Sequence, residues 1–85
     1  MPYTLKNQKF QIAPIVQFNL PANSQVLRFI HQGTGNFIWY MDSGETDMWQ
    51  FKFHFLGKGD TLDVPADFYG EIKDGSYKFV FRELS

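Results

Sequence analysis

Side chains alternate in character with a period of two along much of the chain, and no other feature constrains the fold as strongly. Even positions from Phe10 to Leu20 are all apolar (Phe10, Ile12, Pro14, Val16, Phe18, Leu20), while Gln11, Gln17 and Asn19 occupy odd ones. Met48–Leu56 alternates as sharply, with Trp49, Phe51, Phe53 and Phe55 on one parity and Gln50, Lys52 and His54 on the other. Period two is the mark of a strand with one face buried. No segment carries the 3.6-residue spacing of an amphipathic helix.

Turn residues divide the alternation into elements. Pro14 lacks an N–H for a ladder, so the first strand, Phe10–Leu20, must lie at an edge or bend there. Pro21-Ala22-Asn23-Ser24 ends it, and a second strand follows at Gln25–Gln32. Gly33-Thr34-Gly35-Asn36 reads as a tight hairpin loop leading to a third strand, Phe37–Asp42. Ser43–Asp47 is a polar loop before Met48–Leu56, and Gly57-Lys58-Gly59-Asp60 stops that strand. An acidic connection with Pro65 leads to two final strands, about Phe68–Lys73 and Ser76–Leu84, which meet at Asp74-Gly75, a strong hairpin signal. The expected fold is all-β: a small antiparallel β-sandwich or partly open barrel of about six strands, with little or no helix.

A chain of 85 residues makes one domain, here residues 1–85, and its stability margin is thin. Residues 1–8 precede the alternation and are expected to be flexible or loosely docked. There is no cysteine, which removes disulfides, thiolate metal sites and a cysteine nucleophile, and points to a reducing, cytoplasmic setting. No apolar run approaches the length of a membrane span, and the polar start does not read as a signal peptide, so no membrane partner is expected.

Charge is nearly balanced overall but divided along the chain. Residues 1–41 hold Lys6, Lys9 and Arg28 and no acid, whereas residues 42–85 hold nine acids against five bases. A nonspecific nucleic-acid binder is strongly basic, so that class is not expected.

Catalysis and metal chemistry find little support. Two histidines, His31 and His54, are the available bases, no nucleophile elbow is present, and the serines fall in turns or at the terminus. The acid clusters Asp42/Glu45/Asp47 and Asp60/Asp63/Asp67 lack the grammar of a calcium loop, and two distant histidines without cysteine do not make a zinc site. The chain is therefore expected to be no enzyme and to need no cofactor or metal.

Binding is the better supported class. Gly57-Lys58-Gly59 resembles a fragment of a phosphate loop without its spacing, leaving a small anion nest at Lys58 as the idea to test. If alternate strands share an outer surface, Arg28, Lys52, His54, Lys78 and Arg82 meet on it, beside a ring from Trp39, Tyr40 or Trp49. The candidate ligand-binding set is Arg28, Trp39, Tyr40, Trp49, Lys52, His54 and Lys58. The strands at Gln25–Gln32 and Phe37–Asp42 are apolar on both parities, so Val26, Ile30, Ile38 or Tyr40 must be covered by something else, and a homo-oligomer is expected. Phe10, Phe18, Phe29, Phe51, Phe53, Phe55, Phe79 and Phe81 have a plain core reading.

The order of short motifs from Phe10 to Leu84 resembles a family of short, uncharacterised all-β accessory proteins of tailed bacteriophages. The matching residues are Lys9-Phe10, Leu20-Pro21 with Val26-Leu27, Gln32-Gly33 leading to Trp39-Tyr40-Met41-Asp42, Phe53-His54-Phe55-Leu56-Gly57-Lys58-Gly59, and Tyr77-Lys78-Phe79-Val80-Phe81. Two departures are Gly-Lys-Gly where the family has Gly-Thr-Gly, and Phe79-Val80-Phe81 where it has a late His-x-Phe. The resemblance implies a phage-encoded protein of the host bacterial cytoplasm and no particular activity. Three occupations suit such a protein: capture of a small nucleotide signal of host immunity, inhibition of a host protein, and a place in the virion.

Overall fold

The alternation from Phe10 to Leu20 belongs to two strands, and the chain changes sheets in the middle of it. In the computed structural model, which describes residues 2–84, β1 (Thr4–Phe10) ends where the alternation begins and β2 (Ile15–Pro21) carries the rest. Phe10, Ile12, Val16, Phe18 and Leu20 nevertheless all pack in or against one core. Alternation therefore records which side chains face the interior, and it persists through a crossover between two layers. Pro14 marks that crossover: its carbonyl accepts the Phe55 N–H at 2.9 Å, just before β2 starts.

The expectation of a flexible or loosely docked segment at residues 1–8 is corrected from Thr4 onward. Thr4–Phe10 pairs antiparallel with β4 (Gly35–Asp42) in unbroken register, from Thr4 opposite Asp42 to Phe10 opposite Asn36. The absence of apolar alternation concealed it, because nearly all of β1 is exposed. The Lys6 ammonium lies 2.8 Å from the Asp42 carboxylate and helps to hold the pairing.

The remaining strands are β3 (Gln25–Gln32), β5 (Met48–Leu56), β6 (Ala66–Asp74) and β7 (Ser76–Glu83). All pairings are antiparallel, in a three-stranded sheet of order β1-β4-β3 and a four-stranded sheet of order β2-β5-β7-β6. The sheets face each other without closing into a barrel, so the described residues form a seven-stranded sandwich with no helix.

Between the layers lie Phe18, Leu20, Val26, Phe29, Ile38, Tyr40, Phe51, Phe53, Phe55, Ile72 and Val80. Ring pairs there meet mostly edge to face, the tightest being Phe29–Phe53 at 4.9 Å between centroids, an arrangement that suits the ring quadrupoles.

The doubly apolar strands now have an explanation. In β3 the register slips between Val26 and Arg28, and such a bulge turns the following side chains to the opposite face. Val26 and Phe29 are consequently both buried, while Leu27 is exposed and Ile30 half-buried. In β4, Ile38 and Tyr40 face inward, and Phe37, Trp39 and Met41 lie half-buried on the outside. Val26, Ile38 and Tyr40 thus need no outside cover, since the four-stranded sheet supplies it.

A second register slip, between Phe68 and Gly70 in β6, sends Phe68 outward and turns Tyr69 toward Phe29 and Phe53. The Tyr69 hydroxyl donates to the Val26 carbonyl. One bulge therefore satisfies a backbone acceptor at the other, across the side of the sandwich where β3 meets β6.

Candidate functional site

Strand β7 decides where the exposed rings lie. Val80 is buried opposite Phe55, so Lys78 and Arg82 share its inward parity. Both lie toward the ends of the interface, where a long side chain keeps its charge in water while its stem covers apolar surface. The Arg82 guanidinium sits 4.7 Å from the centre of the Phe51 ring.

Tyr77, Phe79 and Phe81 consequently face outward, which corrects the core reading of Phe79 and Phe81. Tyr77 is 53% exposed and Phe79 44%. Phe68 of β6 joins them at 5.6 Å from Phe81 and 6.5 Å from Phe79. An aromatic surface therefore covers the outside of the four-stranded sheet.

At the end of this surface lies an open concavity of about 720 Å³, lined chiefly by Leu56, Lys58, Tyr77, Lys78, Phe79 and Phe81. The turn Gly57–Asp60 forms its rim. The Gly57 N–H donates to Asp60 Oδ2 at 2.8 Å, the Asp60 N–H donates to the Gly57 carbonyl at 3.1 Å, and Gly59 has φ of 91°. That φ favours glycine. A methyl group on Gly57 would lie 2.9 Å from Lys78 Nζ, so the absence of a side chain lets this ammonium lie over the turn. The anion nest expected here is corrected in part: the protein's own Asp60 occupies the Gly57 amide, leaving the lysine charges.

Three lysines surround the rings. Lys58 stands on the turn, Lys78 lies beside Gly57, and Lys73 Nζ is 5.2 Å from the centre of the Tyr77 ring. None of the three enters an ion pair among the described residues. Glu71, opposite Phe79 in the ladder, brings one carboxylate to the same face. The arrangement offers a flat apolar floor for a ring system and unpaired ammonium groups for an anion.

The seven candidates from the sequence do not converge. Arg28 and Trp39 are neighbours across the β3–β4 ladder on the outer face of the three-stranded sheet. Trp39 Nε1 there is buried with no acceptor among the described residues. Tyr40 is corrected outright: it is 8% exposed within the core, and stacking a ligand on it would mean opening the sandwich. Trp49, 47% exposed, lies at the start of β5 beside Phe51.

Lys52 and His54 share the outer face of the four-stranded sheet but are committed to Glu83. His54 Nε2 donates to Glu83 Oε1 at 2.7 Å, and Lys52 Nζ lies 3.5 Å from Glu83 Oε2. The His54 hydrogen bond, with Lys52 adding attraction, holds the Glu83 carboxyl below its usual range against the effect of burial. Lys58 is the one candidate at the concavity. The shared cationic surface of Arg28, Lys52, His54, Lys78 and Arg82 is thus divided among two outer faces and the interface between the layers.

Sequence reasoning missed Lys73 and the outward placement of Phe79 and Phe81. The usable signal was Val80 between two cations: an aliphatic residue at that position is the one most easily buried, which puts the rings of β7 outside.

Two other polar groups are structural in form. His31 Nδ1 donates to Asn36 Oδ1 at 2.9 Å, and Asn36 Nδ2 donates to Asp74 Oδ2 at 3.0 Å, linking the β3–β4 hairpin to the β6–β7 hairpin. Asp42 accepts from Lys6 and from the Gly44 N–H, which pulls its carboxyl below the ordinary range. No group of three or more His, Asp or Glu is placed to hold a metal among the described residues. No family model, curated protein or solved structure matches this chain.

Proposed function

We propose that this protein is a non-catalytic binding protein that captures a small anionic ligand carrying an aromatic ring, such as a cyclic nucleotide. The observation supporting this reading is the concavity lined by Lys58, Lys78, Tyr77 and Phe79, with Lys73 over the Tyr77 ring and none of the three lysines ion-paired among the described residues. A base would lie on the rings, and stacking of this kind contributes about 1–3 kcal/mol per base. Phosphate would meet the lysines, with an affinity that falls as salt rises. In the setting implied by the phage resemblance, a bacterial cytoplasm during infection, such capture would withdraw a host immune signal.

Calorimetric titration with a panel of cyclic and linear nucleotides tests the proposal. Binding is expected with at least one of them, weakened tenfold or more in Lys78→Ala and in Phe79→Ala. A folded sample that gives no heat with any of the panel overturns it.

A second reading, a module that binds a host or virion protein, draws on a different residue. Phe68 is 62% exposed, more than any other large apolar side chain described, and it lies beyond the concavity. A stoichiometric protein retained from infected cells by the wild type and lost with Phe68→Ser, with nucleotide binding absent, would favour that reading.

A further inference from the structure

Four strand edges remain unpaired in the two sheets: β1 and β3 in one, β2 and β6 in the other. An open edge is a template for a further strand unless something blocks it. β2 is flanked by Pro14 and contains Pro21. β3 and β6 are each broken by a bulge, and β6 also bears Asp67, Glu71 and Asp74. β1 has neither proline nor bulge, and its register with β4 is regular over all seven residues.

We propose that β1 pairs antiparallel with β1 of a second copy about a two-fold axis at Asn7, joining two three-stranded sheets into one of six strands. The inference is independent of the nucleotide reading, whose concavity belongs to the other sheet. The sequence Thr4–Phe10 suits self-pairing in this register. Asn7 meets Asn7 of the second copy, so two side-chain amides can exchange hydrogen bonds on the axis. Lys6 lies opposite Gln8, and Leu5, which is exposed beside Met41, lies opposite the aliphatic stem of Lys9.

No like charges stand directly opposite each other. The two Lys9 residues are four positions apart, roughly 13 Å along the strands, beyond the screening length of about 8 Å at physiological salt. The two Lys6 residues come closer, but each is already paired with Asp42 of its own copy. Symmetric pairing over seven residues supplies about six to eight backbone hydrogen bonds. The resulting contact is small beside a standard interface of about 800 Å² per partner, so the dimer is concentration-dependent.

Sedimentation at rising protein concentration tests the proposal, with the full chain and two variants at one exposed position. Gln8→Lys places a cation opposite Lys6 of the second copy, and Gln8→Glu places an anion there. Each pair occurs twice, so the dissociation constant should shift about two- to thirtyfold, weaker for Gln8→Lys and tighter for Gln8→Glu. Circular dichroism checks that both variants remain folded. A mass that stays at 10.0 kDa at every concentration, growth beyond the dimer, or two variants that both match the wild type would overturn the pairing.

Discussion

Two groups of aromatic rings lie on opposite faces of the same four-stranded sheet. Inside, Phe18, Phe53 and Phe55 meet Phe10, Phe29 and Tyr69 from elsewhere in the chain and are closed off from water. Outside, Phe68, Tyr77, Phe79 and the half-buried Phe81 share a face that no second layer covers among the described residues. Residue type and alternation are alike in both, and what differs is the second layer. An alternating run of rings thus identifies side chains that share a face, and neighbouring elements determine whether that face is covered.

The largest test of this contrast is Phe53→Ala. Phe53 is 0% exposed at the centre of the inner group, so its loss should cost about 3–5 kcal/mol in urea denaturation. A cost below about 1 kcal/mol would mean that the inner rings are not the core.

Tyr69→Phe probes the seam joining the two layers. Loss of the hydroxyl leaves the Val26 carbonyl without that donor, and the expected cost is about 1–2 kcal/mol. Burial raises the Tyr69 pKa, while nearby Arg82 acts in the opposite direction. The fold therefore favours the neutral phenol, and this contribution is present below the ordinary phenol pKa and lost as pH rises above it. The alkaline limb of a stability profile should accordingly be shallower in Tyr69→Phe.

At the acid end the group to examine is Glu83. Its carboxyl is lowered by His54 first and Lys52 second. Its contribution is present above the ordinary glutamate range and fades as pH falls through the lowered value. Glu83→Gln should lower stability above the ordinary glutamate range, change it little at more acid pH, and so flatten that part of the profile; an unaltered acid limb would mean that the His54–Glu83 contact does not contribute.

The smallest stability effect belongs to the outer rings. Phe79→Ser should change stability by less than about 1 kcal/mol, as exposed positions generally do. A loss as large as that of Phe53→Ala would make the two faces equivalent and end the contrast.

Much of the layout was legible because turn chemistry is local. Met48–Leu56 coincides with β5, Gln25–Gln32 with β3, and the hairpins at Gly33-Thr34 and Asp74-Gly75 form where the glycines stand. β1 was not legible, since a polar edge strand with both faces wet has no alternation to display. The inward turn of Lys78 and Arg82 was hidden because a long cation at the end of a sandwich satisfies the same position as an apolar residue. The candidate site was legible only at Lys58 and Lys78. Convergence of Lys73, Lys78 and Phe79 depends on the register of β6 against β7, which a bulge alters and a composition pattern does not reveal.

That bulge has a consequence for how the molecule tolerates genetic change. Phe68 and Ile72 are both even-numbered, yet one faces water and the other the core, because a single extra residue between them reverses the order. Substitutions along β6 act on one face at a time. Deleting one residue at Tyr69 or Gly70 would act on both together, moving a core ring outward or a surface ring inward. In this strand insertions and deletions, more than point changes, are the events that could exchange interior for recognition surface in one step.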